Sequence, residues 1–241
     1  MNPIHNIKAI LFDFGGTLDT DGVHWSEKFW EAYTSAGIPV DKSEYEKAFI
    51  EAGDHLVSVI IQPHFGFKDT LAAQIELQLR YLESNHNLPP VEHYKYKNAI
   101  LEYSYKEASK TLEKSNQIIS KLAQDYLLGV VSNFYGNMDT VLKEFHLIEY
   151  FQIVIDSARV GVRKPSPDIF RLAIHQLRVP AGNTVVVGDS YDRDIVPAKQ
   201  CGCITVWLEG RSWKKEEGGK QADYAIHSLK ELDTLIHYIT L

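Results

Sequence analysis

Residues 7–18 read Ile7-Lys8-Ala9-Ile10-Leu11-Phe12-Asp13-Phe14-Gly15-Gly16-Thr17-Leu18. A mostly apolar run that stops at a carboxylate and two glycines reads as a buried strand (7–12) running into a turn. The same texture returns at 126–131, 151–155, 184–187 and 203–207, with a shorter candidate at 222–226. Between these runs the apolar period changes to about 3.6 residues. Ser166-Pro167 reads as a helix start, followed by Ile169, Phe170, Ala173 and Leu177 on one face. Ser228 with Glu231 reads as a capping box ahead of Leu229, Leu232, Ile236 and Ile239. Strands alternating with helices predict an α/β fold, a Rossmann-like three-layer core with a parallel sheet.

Residues 20–108 interrupt that alternation with helical stripes alone. The first is Phe29, Trp30, Tyr33 and Ala36, closed by Gly37 and Pro39. Asp41 and Glu44 form a second capping-box pattern before Tyr45, Ala48, Phe49 and Ala52. Leu71, Ile75, Leu79 and Leu82 make a third stripe. Leu101, Tyr105, Ala108 and Leu112 make a fourth, after Pro89-Pro90. The block is too long for a loop and predicts an inserted all-α subdomain. The expected division is 1–19 and 109–241 for the core and 20–108 for the insertion. Residues 209–221, rich in charge and glycine, read as a solvated surface loop.

The chain has 241 residues, 44% hydrophobic and 24% charged, enough to bury a core without staples. A net charge of −7 argues against nucleic acid as partner. No apolar run approaches the roughly 18 residues of a membrane span. The opening residues show neither a basic cluster nor a long apolar run. The expectation is a cytoplasmic protein with no membrane partner. Cys201 and Cys203 read as two buried thiols of such a protein.

Ligands of open parallel sheets bind at the carboxyl ends of the strands, and four such ends here carry reactive groups. They are Asp13-Phe14-Gly15-Gly16-Thr17, Ser132-Asn133, the Arg163-Lys164-Pro165 segment after the third strand, and Asp189-Ser190-Tyr191-Asp192-Arg193-Asp194. Asp13 and Asp189 converging at one edge would repel without a cation between them, and all-oxygen ligands suit Mg²⁺. Gly15 and Gly16 allow close backbone approach to a phosphate and N–H groups aimed at it. Ser132 and Asn133 add neutral donors, and Lys164 adds positive charge. That equipment fits phosphoryl transfer, with Asp13 placed to attack phosphorus and form an aspartyl-phosphate. Asp192 reads as a solvated or capping carboxylate.

Taken together, these segments resemble the four motifs of the haloacid dehalogenase superfamily, and the helical block lies where that family carries its helical cap. The resemblance spans nearly the whole chain. It implies Asp13 as nucleophile and Gly16, Ser132, Asn133 and Lys164 at the phosphoryl group, with Lys164 also catalytic. It implies Mg²⁺ held by Asp13, Asp189, Asp194 and the backbone carbonyl of Gly15. Asp194 would otherwise orient Lys164, and Thr17 would position the first loop. The implied substrate is a small phosphorylated metabolite bound under the cap, where Trp25, Trp30, Tyr33, His55 and His64 are candidate lining residues.

The sequence departs from the family's phosphatases at one place. They carry a second Asp two residues after the nucleophile, as general acid and base, and Gly15 stands there. A positioned acid–base contributes about 10²–10⁴ in rate. The departure predicts selectivity for good leaving groups and a long-lived phosphoenzyme unless the cap or water supplies the proton. Two alternatives stay open: a catalytically impaired phosphate-binding protein, and phosphonate or dehalogenase-type chemistry on the same scaffold. The phosphonate route needs a cap lysine, for which Lys28, Lys42, Lys47 and Lys68 are candidates.

Overall fold

The computed structural model describes residues 6–59, 61–85, 88–213 and 222–240, with side chains of 54–59 outside the description. The elements in chain order are β1 (Ala9–Phe12), α1 (Trp25–Ser35), α2 (Lys42–Val59), α3 (Phe67–Asn85), α4 (His93–Leu122), β2 (Leu127–Ser132), α5 (Met138–Glu144) and β3 (Phe151–Asp156). They continue with α6 (Ser157–Val160), α7 (Asp168–Leu177), β4 (Thr184–Gly188), α8 (Val196–Gln200), β5 (Ile204–Leu208), β6 (Tyr224–Ile226) and α9 (Leu232–Thr240). All six expected strands form, within one or two residues of their expected bounds. Helix α7 starts one residue later than its Ser-Pro signal, with Pro167 in the capping position.

The six strands make one parallel sheet in the order β3-β2-β1-β4-β5-β6. Alternation along β1 splits its side chains between two cores. Ile10 and Phe12 join the cluster that includes α4, α5 and α9, while Ala9 and Leu11 join the cluster built on α7 and α8. Helices therefore cover both faces, as a parallel sheet requires. Each fully buried large apolar side chain contributes roughly 1.5–3 kcal/mol. The α7 stripe of Ile169, Phe170, Ala173 and Leu177 is buried throughout, as is the α9 stripe of Leu232, Ile236 and Ile239.

Helices α1–α4 pack on one another and hold the described part of the inserted block. The Asp41–Glu44 capping box forms reciprocally: Glu44 N donates to Asp41 Oδ1 at 2.8 Å and Asp41 N to Glu44 Oε2 at 3.0 Å. Helix α4 runs unbroken through residue 108, its stripe continuing through Ala108, Leu112, Ser115, Ile119 and Leu122. The layer is tied to the sheet side by Ser115 Oγ donating to Leu18 O and by Phe67 N donating to Glu144 Oε2. No described helix is long and apolar enough to cross a membrane. Neither cysteine is in a disulfide, and Cys203 is buried while Cys201 is partly exposed.

One loop does more than its expectation. The described part of residues 209–221 is a loop, exposed over 209–212 as expected, and Glu209–Trp213 also line the central cleft. Arg211 N donates to Gly22 O and His24 N to Arg211 O, both at 2.9 Å. That backbone pairing joins the segment to the entry of α1, and no side-chain pattern announces it. Residues 214–221 lie outside the described residues.

Candidate active site

Sheet order places the site. From β1 the chain first adds strands on one side (β2, β3), then on the other (β4, β5, β6). The crevice at this reversal, between the carboxyl ends of β1 and β4, is where open α/β sheets bind ligands. Phe12 stands level with Val130 and Val187, so Asp13, the end of β2 and the residues after β4 emerge together. They floor a cleft of about 1380 Å³ roofed by α1–α3.

Asp13, Asp189 and Asp194 each offer a carboxylate oxygen, and these atoms lie within 4.8 Å of one another. Lys164 Nζ enters from the loop after α6 and bridges Asp13 Oδ1 at 2.7 Å and Asp194 Oδ1 at 2.5 Å. Ser132 Oγ donates to the same Asp13 oxygen at 2.8 Å. Asp13, Lys164 and Asp194 are 7%, 3% and 1% exposed, so the cluster is largely removed from water. Burial, together with the charges of Asp13 and Asp194, pushes Asp189 well above the usual carboxylate range. Burial also lifts Asp194 to about 6, against the pull of Lys164. For Lys164, burial works against the charge, yet the two carboxylates outweigh it and hold the ammonium above its ordinary value. Hard oxygen donors gathered at this cost are a suitable set for Mg²⁺.

Two expected phosphate ligands turn elsewhere. The N–H of Gly16 is committed to Asp19 Oδ1 at 2.8 Å rather than aimed into the cleft. The glycine is still required, because its φ is +97° and a Cβ there would sit 2.3 Å from Asp189 Oδ2. Asn133 clips the backbone of Lys164: its Nδ2 donates to Lys164 O at 2.9 Å, and its Oδ1 accepts from Lys164 N at 2.8 Å. Asn133 thereby fixes where the lysine enters. Thr17 does the same for Asp189, donating to its Oδ1 and accepting from its N–H, both at 3.1 Å.

Among the cap candidates, Trp25 lines the cleft, whereas Tyr33 is buried in the helical core and Trp30 packs on Tyr45. His64 is exposed and outside the cleft lining, and the side chain of His55 lies outside the described residues. Asp192 is exposed at the cleft wall. None of Lys28, Lys42, Lys47 and Lys68 is among the lining residues. The sequence reading missed Asp156 and Asp19. Asp156, fully buried at the end of β3, accepts from Gly136 N, Met138 N and Ala158 N, ordering the loop after Asn133. Asp19 is 1% exposed yet borders the cleft, and only its place one turn past the glycines could have marked it.

A family model described as haloacid dehalogenase-like hydrolase matches residues 7–202, and the chain belongs to that family. It is 38% identical over 87 residues to the glyceraldehyde 3-phosphate phosphatase of Methanocaldococcus jannaschii, covering 36% of this chain and 38% of that one. Over 111 residues it is 32% identical to the pyrimidine 5′-nucleotidase of Escherichia coli, covering 45% and 49%. The matches thus span less than half the length of these relatives. A magnesium-bound putative hydrolase structure from Bacillus subtilis aligns with a TM-score of 0.57 at 18% identity, covering 96% of this chain and 99% of that one. A dehalogenase structure aligns at 0.64 and 17%, covering 97% and 98%. At such identities the two structures speak for the fold alone.

Proposed function

We propose that the chain is a Mg²⁺-dependent phosphatase of small phosphorylated metabolites, with residues 20–108 as the cap over a core of 1–19 and 109–241. The observation that carries this reading is Asp13 at the sheet's switch point, its Oδ1 held by Lys164 at 2.7 Å and Ser132 at 2.8 Å, beside the Asp189–Asp194 pair. Both bonds fall on Oδ1, which leaves Oδ2 to attack phosphorus in line. The P–O bond to the leaving group then breaks, and water hydrolyses the resulting aspartyl-phosphate. Lys164 and Ser132 donate to the phosphoryl oxygens as charge develops there. Asp13, Asp189 and Asp194, with the Gly15 carbonyl, would hold Mg²⁺. When bound, the ion supplies positive charge opposite the carboxylates and the phosphoryl group.

The relatives named for glyceraldehyde 3-phosphate, phosphoserine and phosphoglycolate phosphatases support the substrate class. Phosphonate chemistry through a cap lysine has no support from the four lysines considered, since none lines the cleft. The test is a panel of alkyl and aryl phosphates, acyl phosphates and phosphonates, each assayed with and without Mg²⁺. Metal-dependent release of phosphate from esters, abolished by Asp13→Asn, is expected. Binding of phosphate without turnover of any ester identifies a phosphate-binding protein instead.

A further inference from the structure

We infer that Asp19 is the proton donor and acceptor of this site, working from one turn further along the chain in place of the carboxylate that Gly15 lacks. The inference rests on the phosphatase reading above and adds its acid–base group.

Nothing in the backbone calls for glycine at position 15. Its φ of −76° and ψ of 113° suit any residue. A Cβ built there meets only Trp25 Cδ1, at 3.9 Å. Gly15 therefore leaves an open volume beside the nucleophile, walled by one edge of the Trp25 indole. Cδ1 on that edge is bonded to Nε1, and Nε1 donates to Asp19 Oδ2 at 2.7 Å. Asp19 Oδ1 accepts from Gly16 N at 2.8 Å. The carboxyl is held from two sides, is 1% exposed, and lines the same cleft as Asp13, Gly15 and Trp25. Each carboxyl oxygen has a second lone-pair direction beyond the bond it already accepts, so a proton can reside on Asp19 without losing either donor. A water in the volume beside Gly15 links it to the leaving oxygen.

The electrostatics agree with the geometry. Burial, reinforced by the negative charge of Asp13, lifts the Asp19 carboxyl to about 7, while the bonds from Trp25 and Gly16 oppose that rise. Proton exchange is most effective from a group poised near the working pH. Protonated Asp19 passes its proton through the water to the leaving oxygen as Asp13 bonds to phosphorus and the P–O bond breaks. The resulting carboxylate then takes a proton from the water that attacks the aspartyl-phosphate. The Asp13–phosphorus bond breaks with its electron pair returning to Asp13, phosphate departs, and Asp19 is protonated again.

The experiment is rapid-quench kinetics, with Mg²⁺, of wild type, Asp19→Asn, Trp25→Phe and the double variant Asp19→Asn with Gly15→Asp, on one alkyl and one aryl phosphate. Asp19→Asn is expected to lose about 10²–10⁴ in alkyl-phosphate turnover. It should form phosphoenzyme rapidly from the aryl ester and then hydrolyse it slowly. Trp25→Phe removes a donor that favours the carboxylate, so the basic limb of its pH profile should move up. The amide of Asn faces one of the two donors, so a fold defect must be told apart from a proton-transfer defect. Returning a carboxylate at Gly15 should restore alkyl turnover only if the loss was of proton transfer. Wild-type alkyl turnover in Asp19→Asn overturns the inference while leaving the phosphatase reading intact. An equal loss on both esters that the double variant does not recover, or an unmoved pH profile in Trp25→Phe, overturns it as well. A wild type that forms no phosphoenzyme from either ester overturns the phosphatase reading, and this inference with it.

Discussion

Asp189 bears electrostatic strain from both of its carboxylate neighbours. Its carboxylate accepts one hydrogen bond, from Thr17 Oγ1, yet burial and the charges of Asp13 and Asp194 all favour its neutral form. Asp189→Asn should therefore separate binding from folding. Removing one unit charge about 4 Å from another is worth about 4 kcal/mol at the effective dielectric of a protein surface, and more against a dication. Mg²⁺ affinity measured by calorimetry should fall by at least about tenfold, while the melting temperature of the metal-free protein should hold or rise. Unchanged affinity would remove Asp189 from the ligand set. Lys164 belongs to the same balance from the other side: a buried ammonium between Asp13 and Asp194 is sustained by them, and they by it.

Among the elements, β2 is tightly constrained at one position. Gly129 faces Ile153 and Leu11, whose carbons lie 2.7 and 2.8 Å from where its Cβ would stand. Gly129→Ala should cost about 1–3 kcal/mol through overpacking between three strands, read as a lower midpoint in urea unfolding. An unchanged midpoint would mean that β2 and β3 can move apart freely. The strands were legible because buried parallel strands are short continuous apolar runs between turn signals. The α4 stripe was legible too, but an amphipathic pattern does not say which layer it covers. Tyr96 and Ile100 sit in the same cluster as Leu112, Ile119 and Leu122, so one helix serves the inserted block and the sheet without a break. Asp13 and Asp189 could be read from their place after strands that end in reactive groups. Asp156 also ends a strand but is spent on the backbone N–H groups around it, and Asp19 lies one turn past the glycines, so neither stands in a motif. The Glu209–Trp213 wall is placed by backbone contacts of Arg211 with Gly22 and His24, which leave no periodic trace.

Over the whole molecule, the gathered carboxylates make stability a function of pH and metal. In the metal-free protein Asp19 titrates at about 7, Asp194 at about 6, and Asp189 well above its ordinary value, in each case chiefly through burial. Unfolding returns all three to near 4. Between about pH 4 and pH 7 the folded state therefore binds more protons than the unfolded one, and its stability must fall as pH rises. His93 acts in the same direction. Burial disfavours its charge, but Glu76 and Glu83 hold the folded pKa above the ordinary value, so its contribution fades as pH rises through that raised pKa. Below pH 4 the trend reverses. Glu76, held at about 2 by Lys97, His93 and Arg80 against the effect of burial, contributes stability above its ordinary pKa and loses it as the pH falls toward 2. Lys164 changes nothing in this window, because its raised pKa keeps it charged throughout. Mg²⁺ would bind the ionised carboxylates, so its stabilisation grows as protons leave. Calorimetric melting in EDTA should show a maximum near pH 4–5 and a decline toward pH 8. With Mg²⁺ added, the increment in melting temperature should be larger at pH 8 than at pH 5. A melting temperature that climbs steadily from pH 4 to pH 8 without metal would mean that burial does not raise these carboxylates.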